Sequence, residues 1–282
     1  MSRIGKDVDL TFPKSSRQKS KPIQLIGVKS PIILHGTDLE KSLIEWMETQ
    51  KVSLQNKDII VISSKIVSIS RGLTVNLDTV TPSKQAIEIS RKTGKDPRFV
   101  ELVLQNSSHI ILSTKQGKLI VRTKFGLICS NAGIDRSNVP GKDTVVILPK
   151  NPNKEAFLIR KKLKELTEKN VAVVITDTHG RELRHGDINI AIGVSGIKAI
   201  KDLRGAQDIF GRTLHMKHIA IADEIAGASE LMSGSATERT PIVILRGYKY
   251  PVKLRDGKEL IRSPEKIFRI PPKSKWIEVK LK

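Results

Sequence analysis

The feature that most limits what this chain can fold into is a run of uncharged, mostly β-branched residues at positions 171–175. Such a run predicts a buried strand. A second apolar run, at residues 59–62, predicts another. Predicted helices lie among the strands without a regular strand–helix–strand repeat. This arrangement favours an α+β or an irregular α/β fold.

Amphipathic spacing and boundary residues predict the other elements. A Thr-Asp pair before residue 39, and a Thr-Pro-Ser run before residue 84 with Gly94 ten residues on, are typical helix boundaries. Helices are therefore predicted within residues 36–50, 81–94, 96–107, 151–170 and 216–234. Further strands are predicted at residues 23–28, 110–112, 119–123 and 241–247, with the middle two paired.

Composition describes a globular protein outside the membrane. Hydrophobic residues make up 38% of the 282 residues and charged residues 28%, unlike a disordered chain. No apolar run approaches the roughly 20 residues that span a bilayer, and the first 22 residues lack the apolar core of a secretion signal. The single cysteine, Cys129, excludes an internal disulfide and a multi-cysteine zinc site. We therefore expect a cytoplasmic protein.

The charge balance of the chain is strongly basic. Lys and Arg number 50 against 29 Asp and Glu, which gives a formal net charge of +21. This excess favours anionic partners such as phosphorylated small molecules, nucleic acid or an anionic membrane face, and a solvated basic surface explains it equally well. Aromatic residues are only 4% of the chain, which argues against nucleic-acid binding by base stacking. Charge alone leaves these alternatives open.

Polar residues follow three apolar segments at the point where each ends. They are residues 63–65 (Ser-Ser-Lys), 131–138 (Asn-Ala-Gly-Ile-Asp-Arg-Ser-Asn) and 176–178 (Thr-Asp-Thr). Carboxylates and hydroxyls beside glycines suit a hydrated divalent cation and phosphates. A single cluster of this kind is more often a turn. Its recurrence at three predicted strand ends favours ligand binding without deciding it.

Standard nucleotide and hydrolase motifs are absent from the sequence. It has no GxxxxGK[ST] phosphate loop, no GxGxxG after a strand and no GxSxG turn. Histidines at 179 and 185, and at 215 and 218, lack a matching acidic or cysteine ligand set. We therefore expect surface or hydrogen-bonding roles for them.

Five strings, in order from about residue 23 to residue 248, make the sequence resemble a known family. They are FGLICSNAGIDRSNVPG, VVITDTHGR, DINIAIGVSGIKAIKDLRGAQDIFGR, IADEIAGASELMSG and PIVILRGY. The family is that of the γ-glutamyl ligases that elongate the deazaflavin coenzyme F420. Strings such as NAGIDxSN and TDTxGR are long and unusual, so the resemblance is specific and covers most of the chain.

The resemblance implies an activity, cofactors and a fold. Family members are expected to join L-glutamate to coenzyme F420-0, with GTP hydrolysed to GDP and phosphate through an acyl phosphate, and often to add a second glutamate. They need Mn²⁺ or Mg²⁺, with two ions expected, and are helped by K⁺. The implied fold is an α+β arrangement with a mixed sheet, in which two subunits intertwine as a homodimer. The expected partners are GTP, L-glutamate and coenzyme F420-0, with no membrane or nucleic acid.

The resemblance also assigns site residues. Asp135 and Asp177 match the catalytic, metal-binding carboxylates, and the Thr178 hydroxyl matches a further metal ligand. Two aspartates placed together resist ionisation unless a cation offsets their repulsion, which agrees with a metal site at this pair. The nucleotide contacts match Ser30, Pro31, Ile32, Ile33, Ser64, Lys65, Ile69 and Asn138, and the loop Leu231, Met232, Ser233, Gly234, Ser235, Ala236, Thr237 and Glu238.

Two positions depart from the family pattern. Many relatives carry a lysine where this chain has Ile69, so Lys65 or Arg71 is the expected source of that charge. Relatives also tend to carry an acidic or amide residue where this chain has Ser235. These departures concern the nucleotide and metal contacts more than the type of reaction.

The sequence therefore predicts a GTP-dependent ligase, with one alternative from another class. The alternative is a non-catalytic protein on the same fold that binds anions or nucleic acid. Such a protein has no use for buried acids, so Asp135 and Asp177 favour the ligase. Residues 1–22 are predicted to form a basic, flexible N-terminal extension, residues 23–248 the ligase domain, and residues 249–282 a basic C-terminal segment that continues it.

Overall fold

The computed structural model describes residues 22–181, 184–252 and 260–261. The predicted N-terminal extension, apart from residue 22, and most of the predicted C-terminal segment lie outside these residues. The strands are β1 (Gln24–Val28), β2 (Ile59–Ser63), β3 (Thr74–Asn76), β4 (Ser107–Ser113), β5 (Leu119–Thr123), β6 (Ile128–Ser130), β7 (Thr144–Val146), β8 (Ala172–His179), β9 (Ile188–Ser195), β10 (Lys201–Asp202), β11 (His218–Ile219) and β12 (Ile242–Arg246). The helices are α1 (Leu39–Thr49), α2 (Ser64–Ser70), α3 (Lys84–Thr93), α4 (Pro97–Gln105), α5 (Pro152–Thr167) and α6 (Ile221–Ser233).

The main sheet is mixed and has the strand order β1-β12-β2-β8-β9. Strands β2 and β8, the two predicted buried strands, pair in parallel, with Ser63 opposite Thr176. The other neighbours in this sheet are antiparallel. The prediction of a mixed-sheet α+β fold is therefore confirmed.

The sheet is covered on both faces, which explains why β8 is apolar at every position of its first half. Val173 and Ile175 pack in one apolar layer with residues of α1, α2 and α5. Ala172 and Val174 point the other way, because strand residues alternate, and pack with residues of α6. Both faces of β8 are thereby removed from water, and this burial stabilises the sheet.

Five predicted helices are confirmed, and their predicted boundary residues act as caps. Asp38 accepts a hydrogen bond from the backbone N–H of Lys41 at the start of α1, and Ser83 accepts one from Ala86 at the start of α3. Gly94 ends α3 in the left-handed conformation. Within the described ranges, no helix combines the length and the apolar character that a membrane crossing needs.

A second group of elements lies between α2 and α5 in the chain. Strands β4, β5 and β6 form an antiparallel sheet, and helices α3 and α4 pack around a separate apolar cluster that includes Phe99 and Val121. The segment after β6 returns to the strand β7 through a bridge between Asp135 and Val146. This bridge fixes the backbone of Asp135.

Several elements differ from the sequence-based expectation, among them β8, α2, β9 and α6. Strand β8 does not end at residue 175 but continues to His179, because its polar end pairs with β9, with Asp177 opposite Ile190. Helix α2 was expected only as a polar strand end, and β9 was not predicted. Helix α6 begins at Ile221, five residues later than its predicted segment, because His218–Ile219 pairs with Lys201–Asp202.

Strand β9 lies at one edge of the main sheet, and side chains cap its outer backbone groups. The backbone N–H of Asn189 donates to Glu230, that of Ala191 to Asp223, and that of Val194 to Asn153. Glu230 and Asp223 belong to α6, and Asn153 belongs to the first turn of α5. These three backbone N–H groups, which an edge strand would otherwise expose, are thus satisfied within the chain.

Candidate functional site

The candidate site lies where the parallel strands β2 and β8 end. Parallel strands present their carboxyl ends at the same sheet edge, so the residues that follow β2 meet the end of β8. Ser64 Oγ donates a hydrogen bond of 2.7 Å to Asp177 Oδ1. Two of the three polar segments predicted from the sequence therefore converge.

The Asp177 side chain is half-buried at this edge. Burial raises its pKa to about 7, and the negative charge of Asp135 acts in the same direction. The hydrogen bond from Ser64 and the charge of Lys65 oppose this rise without cancelling it. Positive charge placed beside the Asp177 carboxyl would therefore lower its pKa and favour its full ionisation.

Asp135 brings the third polar segment to the same place. Its Oδ2 lies 2.8 Å from Lys65 Nζ and accepts a hydrogen bond of 2.7 Å from Ser137 Oγ. Lys65 Nζ also donates to the backbone oxygen of Ser137 at 2.7 Å. Burial raises the pKa of Asp135, but the hydrogen bonds from Lys65 and Ser137 outweigh burial and hold that pKa below its usual range. Asp135 is therefore the ionised member of the pair.

A left-handed turn at residues 131–133 carries the chain past Asp177. Asn131, Ala132 and Gly133 all have positive φ angles, of 53°, 56° and 70°. A Cβ at position 133 would lie 3.4 Å from Asp177 Oδ2 and would overlap the side chain of Leu148. Glycine is required here by both the backbone conformation and the space. Non-glycine residues in this conformation cost about 1–2 kcal/mol each, and such strain is often held at functional sites.

The segment at residues 231–238, predicted as a loop, begins with the last three residues of α6 and contacts the Asp135 segment through Asn138. Asn138 Nδ2 donates to the backbone oxygen of Ala236 at 3.1 Å. Glu238 closes this loop on itself, because its Oε2 accepts from the backbone N–H of Ala236 at 2.8 Å. Two segments assigned to the nucleotide by resemblance are therefore in direct contact.

The segment at residues 30–33 lies beside the end of the same loop. The backbone N–H of Ser30 donates to the backbone oxygen of Arg239 at 2.9 Å. Ser30 and Ile33 are buried, whereas Pro31 and Ile32 are exposed. This segment can therefore contact a ligand through its backbone and through its two exposed side chains.

Thr178 lies on the opposite face of β8 from Asp177 because neighbouring strand residues alternate. Its hydroxyl donates to Asn189 Oδ1 at 3.1 Å. The carboxylate of Glu230 accepts from the backbone N–H of Asn189 at 2.8 Å and from Ser235 Oγ at 3.2 Å. Thr178 is thus linked to the loop at residues 231–238 and not to the carboxylate pair.

Of the two expected replacements for a lysine at position 69, the structure brings only Lys65 to the site. Arg71, which directly follows helix α2, pairs with Glu40 and Glu155 at 2.5 and 3.1 Å. Ile69 is 4% exposed and packs in the core. The Ile69 side chain therefore belongs to the core, and we do not include it among the proposed nucleotide contacts.

The carboxylate pair fits one divalent cation. Gly133 lies close to Asp177 Oδ2, since a Cβ at position 133 would be 3.4 Å from this oxygen, and carboxylate oxygens are ligands that Mg²⁺ and Mn²⁺ prefer. A cation would also favour the ionised form of Asp177, whose pKa is raised mainly by burial and further by the charge of Asp135. Over the described ranges, no three or more His, Cys, Asp or Glu side chains are grouped closely enough to hold a metal ion. Water or phosphate oxygens would have to complete the coordination.

Sequence reasoning gave two residues of the site no role of their own, although one of them, Ser137, lies within the polar segment at residues 131–138. Ser137 joins Lys65 to Asp135, and its backbone N–H donates to Asp135 Oδ1 at 2.9 Å. An Asp followed two residues later by Ser is a common local turn pattern and could have indicated this contact. Glu230 lies in a helix among other polar residues, and only the fold reveals its contact with β9.

The fold and the site define a class: an α+β protein in which two carboxylates, a lysine and hydroxyls from three separate segments converge at one edge of a mixed sheet. The chain belongs to the F420-0:gamma-glutamyl ligase family, whose sequence profile matches residues 27–247. This membership confirms the resemblance inferred from the motifs.

Three relatives, each named coenzyme F420:L-glutamate ligase, illustrate the similarity. The protein of Methanocaldococcus jannaschii is 40% identical over 255 residues, which cover 89% of this chain and 99% of the relative. That of Methanothermobacter thermautotrophicus is 39% identical over 246 residues, covering 86% and 97%. That of Methanosarcina mazei is 39% identical over 222 residues, covering 79% and 84%.

Proposed function

We propose that this protein ligates L-glutamate to coenzyme F420-0, driven by GTP through an acyl phosphate. The names of its relatives support the two substrates. The observation that carries the proposed chemistry is the convergence of Ser64, Lys65, Asp135 and Asp177 from three segments at one sheet edge. Such a set suits the transfer of a phosphoryl group.

The proposed reaction needs activation because a carboxylate has no leaving group. A carboxylate oxygen of the acceptor attacks the γ-phosphorus of GTP, which forms an acyl phosphate and releases GDP. The amine of L-glutamate then attacks the acyl carbon, loses a proton and expels phosphate, leaving an amide. The product again ends in a carboxylate, so a second round would add a second glutamate.

Lys65 is the residue proposed to act on the nucleotide phosphates. Asp135 and Ser137 hold its ammonium in place, so positive charge is fixed before the ligand arrives. Asn138 and the loop at residues 231–238 are proposed to hold the rest of the nucleotide, together with Ser64 and the segment at residues 30–33. The contact of Asn138 with Ala236 supports their common role.

Asp135 and Asp177 are proposed to hold Mn²⁺ or Mg²⁺. When bound, such a cation neutralises phosphate charge and stabilises charge that develops during transfer. The hydrogen bond from Ser64 orients the Asp177 carboxylate and favours its ionised form. The Thr178 hydroxyl is proposed for a second cation, because it lies on the other face of β8. K⁺ is proposed as a further aid to phosphate binding.

We propose that two copies intertwine as a homodimer. The hairpin of β10 and β11 exposes large apolar side chains, with Ile209 91% and Phe210 60% exposed. Exposed apolar clusters of this kind are typical of interaction sites. Sedimentation should give a dimer, and Phe210→Ser should weaken it while Leu166→Ser, on the surface of α5, should not. A stable folded monomer at micromolar concentration would contradict the dimer.

The partial burial of Asp177 opposes the alternative of a non-catalytic anion-binding protein. A buried carboxylate beside a phosphate site repels the ligand unless a cation lies between them. A binder of nucleic acid or other polyanions gains nothing from this group. The ligase is therefore the function proposed.

One assay tests the proposal. The protein is incubated with coenzyme F420-0, L-glutamate, Mn²⁺ and either GTP or ATP, and products are identified by mass. We expect the addition of one or two glutamates with GTP. Addition with ATP but not GTP would overturn the nucleotide assignment, and no addition with either would overturn the ligase.

A further inference from the structure

A polar cavity of about 640 Å³ lies beyond the end of β8. It lies at the hairpin that joins β8 to β9 and reaches strand β6. Its lining residues are Lys118, Ser130, Gly180, Arg181, Arg184, His185, Gly186 and Asp187. None of these residues is among the proposed nucleotide or metal contacts.

The side chains of this cavity give it a positive character. Three are cationic and one is a carboxylate. Arg181 is engaged by its own hairpin, because its guanidinium donates to the backbone oxygens of Gly186 and His185 at 3.0 and 2.7 Å. The Arg184 side chain has no hydrogen bond or ion pair with any other residue that the structure describes. Its donors are therefore available to a ligand.

The cavity adjoins the carboxylate pair at two points. Gly180 is three residues beyond Asp177 in an extended chain, a distance of about 10 Å. Ser130 ends β6 and directly precedes the left-handed turn that lies against Asp177. A small molecule in the cavity can therefore extend a group to the site where transfer is proposed.

We propose that this cavity binds the carboxylate-bearing substrate of the ligation, with Arg184 as a direct contact of its anionic groups. This inference rests on the proposed function and adds the location of one substrate. Arginine binds carboxylates through paired, charge-assisted hydrogen bonds. Both coenzyme F420-0 and L-glutamate are anionic, and the experiment distinguishes them. GTP is not the occupant, because its proposed contacts lie elsewhere.

The position of Arg184 makes its substitution informative. Its backbone N–H donates to the backbone oxygen of Arg181 at 3.0 Å, and this contact survives a change of side chain. Arg184→Ala removes the guanidinium, and Arg184→Lys retains a charge without the paired donors. Lys161→Ala is the matched control, because it removes a positive charge that is 63% exposed on α5.

The experiment measures KM for coenzyme F420-0, L-glutamate and GTP with each variant, and binding of the first two substrates to each variant by calorimetry without GTP. We expect Arg184→Ala to raise KM, and to weaken binding, for one carboxylate substrate by at least about tenfold. Arg184→Lys should recover part of the loss, and Lys161→Ala should behave like the unmodified protein. The substrate affected identifies the occupant.

Three results would overturn the inference. One is an unchanged KM for both carboxylate substrates, and another is a rise confined to GTP. The third is an equal loss in Lys161→Ala, which would show a general effect of surface charge. If the unmodified protein adds no glutamate, the proposed function fails and this inference fails with it. The unmodified control thus separates the two failures.

Discussion

Ser64 Oγ donates a hydrogen bond of 2.7 Å to Asp177 Oδ1 across 113 residues of sequence. The parallel pairing of β2 and β8 produces this contact, because it aligns the residues that end the two strands. The bond fixes one oxygen of Asp177, and the second oxygen, Oδ2, lies beside Gly133. The geometry of this single carboxylate connects the fold to the proposed chemistry.

The first prediction concerns the charge of Asp177. Asp177→Asn keeps the shape but removes a negative charge from the proposed cation site, so metal affinity and turnover should fall together by at least about 100-fold, a loss near 3 kcal/mol. The fold should survive, because one of two repelling carboxylates is neutralised. Glutamate addition at limiting Mn²⁺ and metal binding by calorimetry measure this.

Two further variants bear on the same prediction. Asp135→Asn should behave like Asp177→Asn, and the double variant should lose little more, because both residues act on one site. Glu88→Gln, on the exposed surface of α3, is the control and should change nothing. Nearly unchanged ligation by Asp177→Asn at limiting Mn²⁺ would end the metal-site proposal.

The second prediction is a pH dependence of stability in the metal-free protein. The pKa of Asp177 is raised from 3.8 to about 7 on folding, so the folded state binds this proton more tightly than the unfolded state. The free energy of unfolding should therefore fall as pH rises from about 4 to about 7, by about 4 kcal/mol at most. Urea unfolding in a chelator at pH 5 and pH 8 measures the change.

The source of that dependence can be isolated. Asp177→Asn has no proton to lose at this position, so its unfolding free energy should change less between pH 5 and pH 8 than that of the unmodified protein. Mn²⁺ should restore stability at pH 8, because the cation favours the ionised carboxylate. The same slope in Asp177→Asn as in the unmodified protein would contradict the assignment.

The third prediction separates conformation from contact at Gly133. Gly133 and Gly94 have the same φ of 70°, but a Cβ at 94 meets nothing within 4 Å, whereas one at 133 overlaps Leu148. Gly94→Ala should cost only the strain of the left-handed conformation, about 1–2 kcal/mol. Gly133→Ala should cost about 1–3 kcal/mol more from overpacking, and it should also weaken Mn²⁺ binding. Equal losses of stability in thermal unfolding would show that the contact with Leu148 is unimportant.

The fourth prediction assigns Arg71 to stability and not to the nucleotide. Arg71→Met leaves the buried Glu40 without its partner, so the unfolding free energy should fall by about 3–5 kcal/mol. Adding Glu40→Gln should recover part of the loss, because the unpaired charge is then removed. KM for GTP should stay unchanged in the folded fraction. A large rise in that KM would place Arg71 among the nucleotide contacts instead.

Five helices and the strands β1, β2, β4, β5, β8 and β12 could be predicted because their signals are local. Capping residues, Gly94 and the apolar run at residues 171–175 indicate their own structure wherever they occur. Helix α2 has no such signal: it is seven residues long and contains three serines, which are weak helix formers. The packing of Ile66, Val67 and Ile69 in the core stabilises it instead.

The components of the site could be predicted from the sequence, but their arrangement could not. Polar residues at the strand ends identify Asp135 and Asp177 as candidates. The parallel register of β2 and β8, and the path of the left-handed turn, depend on contacts between distant segments. Thr178 illustrates the limit, because the resemblance groups it with Asp177 and the alternation of the strand places its hydroxyl on the other face.

The capped edge of β9 has a consequence for how this protein unfolds and aggregates. Helix α6 supplies two of the three caps, on Asn189 and Ala191, and its last three residues begin the segment at residues 231–238. If α6 detaches, unpaired backbone groups become available to recruit strands from other chains. Aggregation and disruption of the segment proposed to bind the nucleotide should then begin with the same local unfolding event, and a ligand that holds this segment in place would slow both.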